Sequence, residues 1–350
     1  MPDIVIAGRK VGRGQAPFIV AEAGVNHNGE LLKALEMVRV AKDAGADAVK
    51  FQTFKAEEII VDPTQTYSYT SQGKDVTESM LAMFRRLELP RDAWRTIKAE
   101  CDKQGIVFLS TPQNRSDLDL LLDVGVPAVK VGSDDFTNLP LLKSYAKTGL
   151  PLILSCGMAD MDEVKRSLEA VGAAAGYPVV LLLCTSQYPT PAADANLARL
   201  NTLRATFPSI ALGFSDHTQG HTAACVAVAL GATVFEKHFT LGRDLPGPDH
   251  WFSESPADLR DWVRSIRDAY TMLGNPAVQP TDAERDMRKI ARRSVVALRS
   301  IASGEAFTLD NVALRRPGTG LPPEYFDTVL GRHARRNFKA GEPLSMDDIR

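Results

Sequence analysis

The chain has 350 residues, 43 acidic against 41 basic side chains, a net charge of −2, and an apolar content of 44%. That length suits one large domain with a smaller companion, and the apolar share excludes a disordered chain. The balanced charge argues against nucleic-acid and membrane partners. No apolar run approaches a membrane span, and the opening "MPDIVIAGRK" lacks a signal-peptide pattern. The four cysteines (Cys101, Cys156, Cys184, Cys225) have no metal-type spacing and read as reduced thiols of a cytoplasmic protein.

In chain order, "DIVIAGRKVGRGQ" reads as a hairpin that plugs the base of a barrel. Eight short apolar runs come next: "PFIVAEAGVN", "AVKFQTF", "VFLSTP", "AVKVGS", "LILSCGM", "VVLLLCTS", "IALGFSDHT" and "TVFEKHFTL". Amphipathic segments of helical period separate them, such as "LLKALEMVRVAKDAGAD" and "RDAWRTIKAECDKQGI", each with a glycine near its end as a stop signal. This alternation predicts an α/β fold, a (β/α)₈ TIM barrel over residues 1–273. An open doubly wound sheet is the alternative, but no G-x-G-x-x-G follows the first strand. Between the second and third strands, "DPTQTYSYTSQGKDVTES" is polar and without period and predicts an excursion over the active face. Residues 274–293 read as a linker with a short helix, and 294–350 as a compact, turn-rich module whose "IASGEAFTLDNV" and "FKAGEPLSMDDI" echo one another.

Polar residues end nearly every predicted strand, and in a closed parallel barrel those ends meet on one face. His217 and His238 stand at the ends of the seventh and eighth strands. Neighbouring strands lie about 4.8 Å apart, so two imidazoles can converge there on one divalent cation. Two nitrogens completed by carboxylate or water suit Mn²⁺, with Mg²⁺, Co²⁺ or Zn²⁺ as alternatives. His221, His250 and His27 are weaker ligand candidates. Lys50 and Lys130, with Thr111, Ser133, Ser155, Ser186 and Ser215, offer ammonium and hydroxyl donors suited to a phosphate plus a carboxylate. Some of these hydroxyls are expected to cap the helices after their strands. Glu22, closing the first strand, is a salt-bridge partner or a general base. Glu236 and Lys237 are expected to split between supporting the metal and pairing nearby.

The motifs "AEAGVNHNG", "VKFQTF", "STP", "KVGS", "ILSCGM", "CTSQYPTP", "GFSDHT", "EKHFTL", "GPDH" and "RRPGTG" resemble those of the sialic acid synthases, which include the legionaminic and pseudaminic acid synthases. The last of these motifs lies in a tail that resembles the antifreeze-like (SAF, β-clip) domain of that family. The resemblance implies condensation of phosphoenolpyruvate with N-acetylmannosamine or a related N-acyl amino hexose, giving a nine-carbon 2-keto acid and phosphate. Legionaminic acid synthesis from 2,4-diacetamido-2,4,6-trideoxymannose is the first alternative, and a metal-dependent pyruvate aldolase the second. The resemblance also implies His217 and His238 as metal ligands, and Lys50, Thr111, Lys130, Ser133, Ser155, Ser186 and Ser215 around phosphoenolpyruvate. It implies Glu22 as the group handling the attacking water's proton, and Gln52, Asp135, Tyr188 and Asp249 at the sugar. Arg316, in "RRPGTG", matches an arginine delivered to the site by a partner subunit, which implies a domain-swapped homodimer. Two departures stand out: Gln113 follows "STP" where relatives carry Phe, and Asp135 stands two positions after "KVGS" where they carry Glu.

Overall fold

The computed structural model describes residues 4–350, so Asp3, the first residue of the expected plug, lies outside it. The chain divides into two compact units, Met1–Gly274 and Asn275–Arg350. In the first, β1 (Ile4–Ile6) and β2 (Arg9–Val11) form an antiparallel hairpin. Eight parallel strands come after it: β3 (Phe18–Gly24), β4 (Ala48–Thr53), β7 (Val107–Pro112), β8 (Val129–Val131), β9 (Leu152–Ser155), β10 (Val179–Cys184), β11 (Ala211–Asp216) and β12 (Val234–His238). Their order is β7-β4-β3-β12-β11-β10-β9-β8, and β7 and β8 lie side by side to close the ring. This is the TIM barrel expected from the alternation of apolar runs and helices.

The strands read as unbroken apolar runs because both of their faces are covered. One core layer lies between strands and helices, joining Ile19, Val49, Phe108, Leu154, Leu181 and Phe235 to helical residues. A second fills the interior, where Val20, Leu109, Ile153 and Val234 pack with Ile4, Ile6 and Val11 of the β1–β2 hairpin. The hairpin is therefore the base plug expected from the sequence. The interior packs closely enough that a Cβ on Gly213 would stand 2.4 Å from both Leu182 Cδ2 and the Val234 carbonyl oxygen.

The excursion after β4 is regular, although its sequence shows no period. It contains a regular hairpin, β5 (Thr66–Ser71) against β6 (Lys74–Ser79), joined by Gln72 and Gly73 with φ of 53° and 73°. Two successive positive φ values are what a two-residue hairpin turn needs, and asparagine or aspartate usually takes the first position. Glutamine there hid the turn.

The second unit contains the helix Asp282–Ala291, then β13 (Ser294–Ala297) paired antiparallel with β14 (Val312–Arg315). Val295, Ile301, Phe307, Val312, Phe338 and Leu344 belong to its own core. The sequence echo is structural. Ala302 N donates to Glu305 Oε2 (3.0 Å) as Lys339 N does to Glu342 Oε2 (2.9 Å). Thr308 N donates to Asn311 Oδ1 (2.7 Å) as Ser345 N does to Asp348 Oδ2 (2.8 Å). Ile301 and Phe338 then pair the two arms.

Candidate active site

Side chains alternate along a strand, so every second residue near the C-terminal ends enters the barrel mouth. On β3 and β4 these are Glu22, Lys50 and Gln52, and on β11 and β12 they are Ser215, Glu236 and His238, all lining one cavity of about 1120 Å³. The intervening Asp216 and Lys237 are absent from that lining. Lys237 Nζ instead meets Asp216 Oδ2 at 3.0 Å and Glu254 at 3.5 Å, while Trp262 Nε1 donates to Asp216 Oδ2 at 3.0 Å. Lys237 is thus the paired residue, on the outer face of the strand.

At the cavity floor four charges interlock. Glu22, Lys50 and Lys130 are 1%, 2% and 2% exposed. Lys50 Nζ lies 2.7 Å from Glu22 Oε2, 3.0 Å from Thr111 Oγ1 and 3.8 Å from Glu236 Oε1. Lys130 Nζ lies 3.6 Å from Glu236 Oε1 and donates to Ser155 Oγ at 2.8 Å. Gln52 Nε2 donates to Glu22 Oε1 at 3.1 Å, and Ser215 Oγ to Glu236 Oε1 at 3.5 Å. Burial raises the Glu22 carboxyl to about 7 despite the opposing Lys50 ammonium. Burial would also raise Glu236, but Lys130 and Lys50 outweigh it and hold that carboxyl below its ordinary value. Burial lowers Lys130, whereas the carboxylates of Glu22 and Glu236 overcome burial at Lys50 and raise it. Glu236 therefore bridges the two ammonium groups. Its position in the sequence alone assigns it no firm role, and its inward parity with His238 is the signal that places it.

Two histidines border this floor, their rings 5.5 Å apart. His217 Nδ1 lies 2.8 Å from the Thr185 carbonyl oxygen. A carbonyl only accepts, so Nδ1 carries the hydrogen and Nε2 is left free to ligate. His238 Nδ1 is buried without a hydrogen-bond partner, 3.8 Å from Asp249 Oδ2. Burial, then His217, pushes His238 well below its ordinary value, keeping it neutral as a ligand must be. Burial disfavours the His217 cation, but Cys184, 3.9 Å away, and the Thr185 carbonyl outweigh it, so a metal there would compete with a proton. An orphaned nitrogen beside an oriented imidazole fits a divalent cation. Among the described residues no set of three or more His, Cys, Asp or Glu is placed to hold a metal, so the remaining positions would fall to water or substrate.

Most of the other expected residues meet at the same mouth. Thr111, Ser133, Ser155, Ser186, Tyr188 and Asp249 all line the cavity, and Ser186 Oγ is buried without a partner. Tyr188 packs on both histidines, with ring centroids at 4.2 and 5.9 Å. Asp135 differs: its carboxylate accepts from Asn138 at 2.9 Å, and the neighbouring Asp134 lines the cavity in its place. Arg316 is exposed just after β14 and belongs to the second unit. His221 precedes the helix Thr222–Ala229, outside the cavity lining. The β5–β6 hairpin forms one wall through Tyr67, Tyr69 and Thr77. Its tip is held to the loop after β12 by Gln72 Nε2 donating to the Asp244 carbonyl (2.9 Å) and Gly247 N donating to Ser71 Oγ (3.2 Å).

His250 and His27 are structural. His250 Nδ1 meets Thr240 Oγ1 at 2.7 Å and its Nε2 meets Asn28 Oδ1 at 3.2 Å, while His27 Nδ1 accepts from Gly29 N at 3.0 Å. Burial lowers His250 to about 4 and His27 to about 3, each with help from a neighbouring positive group. A depressed histidine contributes stability that is whole above the unfolded value near 6.5 and is lost as pH falls. Each pH unit below that is expected to cost about 1.4 kcal/mol per histidine. Melting curves between pH 7 and pH 5 should fall more steeply for the parent chain than for His250→Gln. Parallel slopes would show that His250 is protonated in the folded state.

Comparison with known proteins gives the family. A family model described as the NeuB family matches residues 37–277, and a SAF domain model matches 292–350. The N,N'-diacetyllegionaminic acid synthase of Legionella pneumophila is 39% identical, over 97% of this chain and 96% of that protein. The human N-acetylneuraminate-9-phosphate synthase is 36% identical, over 93% and 90%. Among solved structures, the N-acetylneuraminic acid synthetase of Leptospira borgpetersenii in complex with citrate superposes with a TM-score of 0.73 at 32% identity, covering 82% of this chain and 95% of that one.

Proposed function

The chain belongs to the NeuB family and ends in a SAF domain, and from that premise we propose that it is a synthase condensing phosphoenolpyruvate with an open-chain N-acyl amino hexose. The acceptor is N-acetylmannosamine or a 2,4-diacetamido-2,4,6-trideoxy hexose, and the products are a nonulosonic acid and phosphate. One observation carries the reading: two buried lysines with ordered hydroxyls share a floor with two carboxylates and adjoin two histidines, one of them neutral. Phosphoenolpyruvate needs cationic donors for its phosphate and carboxylate, and an aldehyde partner needs an electrophilic activator.

Lys50 and Lys130, with Thr111, Ser155 and the unpartnered Ser186 hydroxyl, hold the phosphate and carboxylate of phosphoenolpyruvate. Incoming oxyanions take over the ion pairing that these lysines otherwise give to Glu22 and Glu236. A divalent cation, Mn²⁺ first, held by His217 and His238 would supply Lewis-acid polarisation of the acceptor aldehyde. C3 of phosphoenolpyruvate then bonds to the aldehyde carbon, whose oxygen takes a proton, and C2 gains oxocarbenium character. Water adds to C2, and Glu22, with its carboxyl near 7, accepts the water's proton. The tetrahedral intermediate breaks its C2–O bond to phosphate, the proton of the C2 hydroxyl leaves with the phosphate, and the 2-keto acid remains. Preorganised ammonium groups offset the developing negative charge throughout. Gln52, Tyr188 and Asp249 orient the sugar, and Arg316 reaches the site from a partner subunit in a domain-swapped dimer.

Phosphate release should require phosphoenolpyruvate and an amino sugar together. Pyruvate in place of phosphoenolpyruvate should give no product, which separates a synthase from an aldolase. No release across a panel of N-acyl hexosamines with Mn²⁺ present would sink the reading.

A further inference from the structure

Above its floor the cavity changes character. Lys50, Lys130, His217 and His238 are the only basic side chains among the described residues that line it. Towards solvent the lining carries two exposed carboxylates, Asp75 on the hairpin and Asp134 after β8, with Met80, Phe84 and Trp251, whereas Asp249 lies deeper, against His238. A phosphate on an acceptor sugar would meet carboxylates and apolar surface in this region.

Asp134 is built into that arrangement. Its carboxylate folds back over Gly132, where a Cβ would stand 2.1 Å from Asp134 Oδ1, so glycine makes room for it. In the amide orientation that satisfies both neighbours, Gln113 Nε2 donates to Asp134 Oδ2 at 3.2 Å and to Asp135 Oδ2 at 3.1 Å. Gln113 thus clamps two carboxylates side by side, and Asn138 turns Asp135 away from the cavity. The Asp134 charge is felt deep in the site, favouring the Lys50 ammonium and disfavouring ionisation of Tyr188. Of the two departures from the family pattern, Gln113 holds Asp134 in place and Asp135 shares that clamp.

We propose that Asp134, clamped by Gln113, is the specificity-determining residue that restricts the acceptor to an uncharged amino sugar and rejects a sugar phosphate. The assignment rests on the condensation reading above. A single guanidinium delivered by a partner leaves the two outer carboxylates in excess. Like charges juxtaposed across an acceptor pocket discriminate against the anionic sugar, here by about 100-fold.

The test compares N-acetylmannosamine with its 6-phosphate on the full chain, by kcat/KM for phosphate release and by calorimetric affinity. The uncharged sugar is expected to win by about 100-fold. Asp134→Asn should shrink that ratio by about tenfold, whereas Asp134→Glu, which keeps the charge, should preserve it. A ratio between two acceptors is insensitive to general loss of folded protein. Equal or better use of the 6-phosphate, or a ratio indifferent to Asp134→Asn, overturns the assignment. Absence of turnover with every acceptor overturns the condensation instead, and the affinity ratio still decides the role of Asp134.

Discussion

Glu22→Gln is expected to lower turnover by about 10²–10⁴-fold while phosphoenolpyruvate still binds. The exchange is nearly isosteric, and Gln52 and Lys50 remain in place around it. What disappears is a proton acceptor whose carboxyl stands near 7, close enough to working pH to take a proton from water and give it up again. Single-turnover phosphate release, read beside phosphoenolpyruvate affinity, separates loss of chemistry from loss of binding. Full turnover would remove Glu22 from the mechanism and leave it as a counter-ion for Lys50. The same variant also tests the dimer. If Arg316 serves the partner's site, mixing inactive Glu22→Gln subunits with inactive Arg316→Ala subunits creates one site in which both residues are intact. Random pairing should then recover about a quarter of the parent rate. No recovery after verified subunit exchange would confine Arg316 to its own chain.

Removing the divalent cation is the second large effect. Chelation should cost about 10³-fold, since Lewis-acid stabilisation of the developing alkoxide is worth several kcal/mol. Mn²⁺ should restore the parent chain but not His238→Ala. With only two protein ligands, the affinity for metal should be modest and should rise when the acceptor sugar is present to complete the shell. Paramagnetic resonance of Mn²⁺ titrated into the parent and His238→Ala chains reads this without recourse to turnover. Activity that survives exhaustive chelation would return both histidines to a positioning role.

The barrel was legible because eight buried strands must be apolar on both faces, and few folds accept eight such runs alternating with helices. The floor residues were legible because polar groups at those strand ends have no structural need to be there. Three features escaped. The β5–β6 hairpin was hidden by a glutamine at a turn position with φ of 53°. Glu236 and Lys237 could be assigned only once their register beside Ser215 and Asp216 was known. Asp134 was passed over for Asp135 because a loop has no period from which to read direction. The choice between the two rests on side-chain partners, Gln113 back at the end of β7 and Asn138 at the start of the next helix.

The parity of β12 carries a consequence for how such a protein can change. Glu236 and His238 face the reaction while Lys237 anchors the outer layer, so one strand writes two messages on alternate letters. A one-residue insertion or deletion there would exchange the messages outright, presenting an ammonium where an imidazole and a carboxylate are required. Lengthening the hairpin or altering the turn that carries Asp134 disturbs neither. On the proposed reading the reaction is written in the part of the chain that cannot slip, and the choice of sugar in the parts that can, so acceptors can diverge across descendants while the bond being made stays the same.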